Sequence, residues 1–191
     1  MDVRQYTLGR HHILSIHYLR KDKSMEITIE HASPTDAAEL LDHLKLVGGE
    51  TDNLTFGAEG LPFSVEAETE YLAHMESSAN NFMLLAKADG HIIGNASLSR
   101  LPRRMSHRGE LAVAVAREYW GQGVGTRLMK EIIVLAEENA FEAVDLQVRS
   151  DNVRAVRLYE KLGFIRLFDY PDYFKINGVK HDVSFMTKKL K

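Results

Sequence analysis

Three glycines at alternate positions, Gly121, Gly123 and Gly125, follow an apolar run from Leu111 to Val115 and enter a helix-forming segment that continues to about Glu138. Glycine lets a backbone approach a ligand closely, and the first amides of a helix have no partner within it. Those amides, reinforced by the helix dipole, form an anion site suited to phosphate. The spacing discriminates among phosphate loops. A Walker A loop needs Lys-Ser/Thr after its last glycine, where this chain has Thr126-Arg127. A dinucleotide fingerprint, Gly-x-Gly-x-x-Gly, needs a glycine where Thr126 stands.

A second cluster lies downstream. Asn152, Ala155, Tyr159, Gly163 and Phe164 follow the pattern Asn-x-x-Ala-x-x-x-Tyr-x-x-x-Gly-Phe. Asn152 and Tyr159 are two helical turns apart and so share a face. Together the two segments resemble the paired signatures of the GCN5-related N-acetyltransferases (GNAT). That family's pyrophosphate loop reads Gln/Arg-x-x-Gly-x-Gly/Ala, and Trp120-Gly121-Gln122-Gly123-Val124-Gly125 matches it except at Trp120. The departure removes a side chain and leaves the backbone amides intact. The resemblance covers residues 82–170 and, in element order, 25–188. It implies an α/β (α+β) fold of the acyl-CoA N-acyltransferase kind: a mixed, mostly antiparallel central sheet with splayed strands, flanked by helices. Strands 110–115 and 143–148 would part to hold the pantetheine arm of acetyl-CoA, the co-substrate.

Acyl transfer from a thioester to an amine makes three demands. The amine must lose its proton, because an ammonium has no lone pair. The developing oxyanion needs donors. The leaving thiolate, of pKa about 8.5 for a simple thiol, benefits from a proton. The resemblance names candidates for each. Tyr159 is the candidate acid, near the sulfur, with Asn152 toward the pantetheine arm. Glu110, at the start of the strand leading to the glycine loop, is the candidate base, acting on the amine through water. The oxyanion donor is expected among the backbone amides of Val113, Ala114 and Val115. The pyrophosphate is expected at those of Gln122, Gly123, Val124, Gly125 and Thr126.

The elements that must position these groups are legible in outline. Ile27 and Ile29 alternate with polar residues as a half-buried strand does. Ser33-Pro34-Thr35-Asp36 opens a helix whose apolar face is Ala37, Leu40, Leu41 and Leu44, and Gly48-Gly49 is read as its stop. A loop runs to Pro62, and Ser64 begins a second helix to about Ser77. Phe82–Ala88 and His91–Ser99 are strands joined by the Asp89-Gly90 turn. Strands follow at 108–115 and 143–148, with a helix between them. Asn152–Leu162 is a helix ended by Gly163, before two closing strands at 164–170 and 180–188 joined through Asn177-Gly178.

The chain has 191 residues, 45% apolar and 27% charged, which is one domain's length and a globular composition that excludes disorder. Residues 25–191 are read as the acetyltransferase domain. Residues 1–24 are an extension, either one extra strand near Ile13–Tyr18 or sequence ahead of a natural start at Met25. The net charge of −3 argues against a nucleic-acid coat, and Arg100, Arg103, Arg104 and Arg108 read as a solvated hairpin loop. The chain contains no Cys, which excludes a thiol nucleophile and a zinc–thiolate site. His11, His12 and His17 lack a carboxylate at ligand spacing, so no metal is expected. No apolar run approaches the roughly 20 residues of a membrane span, and the start lacks a signal peptide's apolar core. A cytoplasmic location follows as the expectation, and a homodimer is compatible with the sequence.

The acceptor is expected to be cationic before it reacts, as a small molecule or a protein amine. Between Lys45 and Lys87 there is no Lys or Arg, while Glu50, Asp52, Glu59, Glu66, Glu68, Glu70 and Glu76 fall in the same stretch. By resemblance that stretch walls the acceptor side, with Glu50, Asp52 and Glu59 as the candidate substrate contacts. The basic residues between 100 and 130 are expected to face the polyanionic cofactor. The alternative function is a catalytically silent module that binds acyl-CoA as a sensor or partner.

Overall fold

A computed structural model describes residues 26–191 with their side chains, and the strand backbone of 3–8, 11–20 and 23–25. Among the described residues nine strands form one sheet: β1 (Val3–Leu8), β2 (His11–Arg20), β3 (Lys23–His31), β4 (Asn81–Ala88), β5 (His91–Arg100), β6 (Arg108–Val115), β7 (Ala143–Arg149), β8 (Ile165–Ile176) and β9 (Val179–Lys189). Four helices accompany them: α1 (Ala37–Glu50), α2 (Val65–Ser77), α3 (Val124–Glu138) and α4 (Val153–Lys161). The strand order is β1-β2-β3-β4-β5-β6-β7-β9-β8, and every neighbouring pair is antiparallel except β6 with β7. His11, His12 and His17 lie outside the residues described with side chains. Among the described residues no helix is long and apolar enough to cross a membrane, and no group of His, Asp and Glu is placed to hold a metal ion.

The sheet has an apolar layer on each face. On one, Leu128, Met129 and Ile132 of α3 and Val156 and Tyr159 of α4 pack on Leu84, Leu98, Leu111, Val144 and Leu146. Burying one such aliphatic side chain contributes about 1.5–3 kcal/mol. On the other face, Leu40 and Leu44 of α1 and Leu72 of α2 pack on Leu85 and Ile92. At the start of α1, Asp36 accepts from the Ser33 N–H at 2.8 Å and pairs with Lys87 of β4 at 2.7 Å. The capping group therefore also pins the helix to the sheet.

Gly48-Gly49 does not end α1, which runs on to Glu50. The helix touches the following loop there, and a Cβ on Gly48 would stand 2.0 Å from the Gly57 carbonyl oxygen. The glycine is a packing requirement rather than a stop. Of the arginines at the β5–β6 connection, Arg103 and Arg104 are exposed as expected, and Arg100 and Arg108 are not merely solvated. Arg108 pairs with Asp145 through two nitrogens and donates to Thr187, while Arg100 donates to the Ser106 and Asn139 carbonyls and lies 3.7 Å over Phe141. Both are structural ties. Arg108 opens β6 and Arg100 ends β5 beside it, about 20 Å along the strand from the glycine loop at roughly 3.3 Å per residue.

His43 of α1 is 4% exposed, and neither ring nitrogen has a hydrogen-bond partner, although Asn95 of β5 lies alongside. Burial pushes its pKa down to about 4. The unfolded chain binds a proton at this ring below about pH 6.5 and the folded chain only near pH 4, so folding stability falls as pH drops through that window. We expect the folded state to lose about 2 kcal/mol between pH 7 and pH 5 through this group. Urea unfolding of wild type and His43→Leu at both pH values checks it; a wild-type slope no steeper than the variant's would contradict the assignment.

Candidate active site

β6 and β7 are neighbours only at their beginnings. The parallel pairing covers Arg108 with Ala143, Gly109 with Val144 and Glu110 with Asp145, and goes no further. Beyond that point β6 keeps its partner β5 and β7 keeps its partner β9. The two strands therefore part into a wedge whose vertex is Glu110.

The ladder register tells which groups face the wedge. Leu101 N–H donates to the Arg108 carbonyl and Ala116 N–H to the Ile93 carbonyl. Peptide groups alternate sides along an antiparallel strand, so even-numbered residues of β6 bond to β5 and odd-numbered ones point the other way. The N–H and C=O of Val113 and the N–H of Val115 thus line the wedge as a strand edge without a strand. Ala114 bonds toward β5, which removes its amide from the candidate oxyanion donors. What Ala114 offers is a small side chain on the α1–α2 face.

Beyond Val115 the chain makes a 3₁₀ turn (Arg117–Tyr119) and then the glycine loop. Gly121 and Gly123 have φ of +75° and +84°, and a Cβ on either would meet nothing within 4 Å. Gly123 caps α3, and the first ladder bond runs from Arg127 N–H to the Gly123 carbonyl at 3.1 Å. The amides of Val124, Gly125 and Thr126 thus precede that bond at the positive end of a 15-residue helix. The Gln122 side chain folds back, donating to the Glu118 carbonyl at 2.7 Å. At Gly125 a Cβ would meet Val115 and Leu158 only at ordinary contact, 3.7 Å. Backbone conformation therefore favours glycine at Gly123, whereas Gly125 has an ordinary helical φ and room for a Cβ.

Trp120 has a role that motif matching missed. Its indole Nε1 donates to the Val115 carbonyl at 2.6 Å, taking the one peptide oxygen of Val115 that would face the wedge. Gln147 was missed too. From the far lip of the wedge its Nε2 donates to the Glu110 carboxylate at 3.1 Å. Glu110 is exposed on the α1–α2 face, next to buried Leu111 on the other. Neither partner carries a local sequence signal, because each contact depends on where the strands part.

Asn152 is the N-cap of α4, and its Oδ1 accepts from Ala155 N–H at 3.3 Å. Its carbonyl is occupied by the cap, leaving the amide NH₂ as the end available to a ligand. Tyr159 is 7% exposed, in the core layer that reaches Val113 and Val115, with its ring 5.9 Å from that of Phe164. Burial pushes its hydroxyl up to about 12.

The three acidic substrate candidates do not form one open wall. Glu50 ends α1, and its carboxylate accepts the Arg117 N–H at 2.7 Å. Glu59 is exposed but accepts the Gly57 N–H at 2.8 Å, and that bond holds its carboxyl below the usual range. Asp52 is exposed, and its backbone carbonyl accepts from Arg149 of β7 at 3.0 Å. The loop after α1 is thus fastened to both lips of the wedge, through Arg117 on one and Arg149 on the other. Beyond β7, strands β9 and β8 carry an aromatic bank. Phe185 pairs with Gln147 in the sheet, stacks on Phe168 at 4.8 Å and meets Tyr173 at 5.7 Å, and Tyr173 meets Tyr170 at 5.3 Å.

Residues 52–164 match the family model described as Acetyltransferase (GNAT) family. The N-alpha-acetyltransferase RimI of Mycobacterium tuberculosis is 33% identical over 103 residues, which is 53% of this chain and 63% of RimI. The chain therefore matches less than two thirds of that curated relative's length. The structure of an acetyltransferase of the GNAT family from Streptococcus pneumoniae superposes with a TM-score of 0.84 at 32% identity, covering 86% of this chain and 99% of that one. YncA from Salmonella typhimurium, a putative acetyltransferase solved with its cofactor acetyl-CoA, has the same fold, with a TM-score of 0.76 at 20% identity over 86% of this chain and 94% of its own.

Proposed function

Because this chain belongs to the acetyltransferase (GNAT) family, we propose that it transfers the acetyl group of acetyl-CoA to a primary amine. The wedge between β6 and β7 carries the reading. It offers an unpaired strand edge at Val113 and Val115, and it ends at free helix amides beside a glycine with open space around it. An extended amide chain with a pyrophosphate at one end matches both. Val113 pairs with the pantetheine amides as the missing strand would, helped by the Asn152 NH₂, and the pyrophosphate sits on the amides of Gly123 to Thr126. Residues 25–191 form the working domain in this reading, and residues 1–24 an extension.

The roles follow from the positions. The amine lone pair attacks the thioester carbonyl carbon while the carbonyl oxygen takes up negative charge. A wedge-facing N–H, of Val113 or Val115, donates to that oxygen; a preorganised donor of this kind is worth about 2.7–4 kcal/mol. The nitrogen's proton passes through water to Glu110, whose orientation Gln147 holds. The C–S bond then breaks, and the Tyr159 hydroxyl donates to the departing sulfur.

The acceptor we propose is a cationic small molecule or a protein amine. The support is the lack of any Lys or Arg between Lys45 and Lys87. Exposed Asp52 and Glu59 follow α1, and the Phe168–Tyr173–Phe185 bank of β8 and β9 is able to hold a cation against its rings. Glu50 contributes least, since its carboxylate already has a partner. Thiol release from acetyl-CoA should be faster with amines carrying a second positive charge, and the advantage should shrink at high salt. Glu110→Gln should lower kcat/KM at neutral pH by about tenfold to hundredfold, with recovery as pH approaches the amine's own pKa. A preference for neutral or anionic amines that survives high salt would overturn the acceptor assignment, and a pH-independent Glu110→Gln defect would overturn the base.

A further inference from the structure

We propose that Arg154 is a phosphate contact for the cofactor, reaching the glycine loop from the opposite lip of the wedge and held in place by Trp120. This rests on the acetyl-CoA reading above. Trp120 is itself anchored, through its Nε1 bond to the Val115 carbonyl. Its ring carries the Arg154 guanidinium 4.3 Å from its centroid, with Arg117 at 5.6 Å. Trp120 belongs to the β6 side of the wedge, and Arg154, in the first turn of α4, belongs to the β7 side. Since the two strands part after Glu110 and Asp145, the Trp120–Arg154 pair is a contact across the slot.

The same face of α4 abuts the phosphate loop. Leu158 comes within 3.7 Å of the place where a Cβ on Gly125 would stand. Arg154 is four residues earlier and therefore on the same helix face, one turn nearer the helix start. Stacking on an indole uses the flat face of a guanidinium, whereas its five N–H donors lie in its plane. Among the described residues no carboxylate or carbonyl takes those donors. Arg154, seated on Trp120 and one helical turn from the Leu158 that abuts Gly125, thus keeps an unspent planar fork, the group that recognises a phosphate edge. Trp120, where the family's loop has Gln or Arg, becomes the platform for a cation supplied by another helix. The charge lost from the loop's first position returns from α4.

Calorimetric titration of CoA, dephospho-CoA and pantetheine into wild type, Arg154→Ala, Arg154→Lys and Trp120→Phe tests this. Arg154→Ala should weaken CoA by about tenfold or more, the scale of a hydrogen bond to a charged group, and leave pantetheine essentially unchanged. Arg154→Lys should recover part of the loss, and the loss should shrink as salt rises. Dephospho-CoA identifies which phosphate is met. An undiminished loss places Arg154 on the pyrophosphate, and an abolished loss places it on the 3′-phosphate. Trp120→Phe keeps a ring but loses the anchoring N–H, and should weaken CoA by less than Arg154→Ala does. Equal weakening of CoA and pantetheine by Arg154→Ala would mean a structural role only, and unchanged CoA affinity would mean none; either overturns the assignment. A wild type that fails to bind CoA at all would instead overturn the acetyl-CoA reading, and this assignment with it.

Discussion

Tyr159→Phe should lower the rate of acetyl transfer by about 10²–10³-fold, the range of a preorganised hydrogen-bond donor to developing charge, with the affinity for acetyl-CoA little changed. Only one oxygen is removed. The ring stays in the core layer, 5.9 Å from Phe164, so the fold has no reason to change. Burial at 7% exposure, with the hydroxyl pushed up to about 12, constrains how the group acts. It stays protonated throughout the working pH range and is always available as a donor. Handing its proton fully to a thiolate of pKa about 8.5 would be uphill by about 5 kcal/mol. In the proposed mechanism Tyr159 therefore acts on the sulfur through a hydrogen bond as the C–S bond breaks, without a free phenolate accumulating. Any alkaline limb below about pH 11 must come from another group, because a raised phenol titrates only above that. Single-turnover kinetics isolates the chemical step, and an unchanged single-turnover rate in Tyr159→Phe would remove the residue from the mechanism.

Gly123→Val should weaken CoA binding by about a hundredfold, equivalent to losing two charge-assisted hydrogen bonds. Two effects combine. At φ +84° an L residue costs about 1–2 kcal/mol, more for a branched one. The added side chain also enters the open space that the phosphates need. Gly90 separates these effects. It too has positive φ, +88°, with nothing within 4 Å of a Cβ, but it sits in the β4–β5 turn away from the wedge. Gly90→Val should lose comparable stability in urea and keep wild-type CoA affinity. Equal CoA affinities in the two variants would mean that the phosphates do not approach Gly123.

Much of this architecture was readable from the chain because local rules dictate it. The Asp89-Gly90 turn has both residues at positive φ, as a two-residue hairpin requires, and Ser64 caps α2 through Ala67 N–H. Helix α3 starts one residue before the expected Gly125, and α4 keeps Asn152 outside as its cap. What failed were inferences about partners distant in sequence. Gly48-Gly49 looks like a stop until Gly57 is packed against it. Arg108 looks solvated until β7 brings Asp145 alongside, and Glu50 looks like a free wall charge until the Arg117 amide takes it. Charge patterning says which sign a segment carries and nothing about which charges meet. The closing hairpin is longer than expected, Ile165–Ile176 with Val179–Lys189, because the register shift between Tyr170 and Phe174 lets the strand continue past Pro171. The parting of β6 from β7 has no signal in residue type, since Leu111 to Val115 alternate like any strand. Resemblance supplied it, and with it the site. The Trp120 and Gln147 contacts, which exist only because of that parting, stayed invisible.

Transfer of an acetyl group to nitrogen leaves its signature in the mass of the product. The chain is incubated with acetyl-CoA labelled in the acetyl group and an excess of a diamine, and both CoA and the amine are analysed by mass spectrometry. We expect labelled acetyl-amine in one-to-one yield with free CoA, dependent on enzyme and largely abolished in Tyr159→Phe. Tight binding of acetyl-CoA with no labelled amine from any member of a broad amine panel would contradict it, and would make the chain an acyl-CoA-binding module rather than an enzyme.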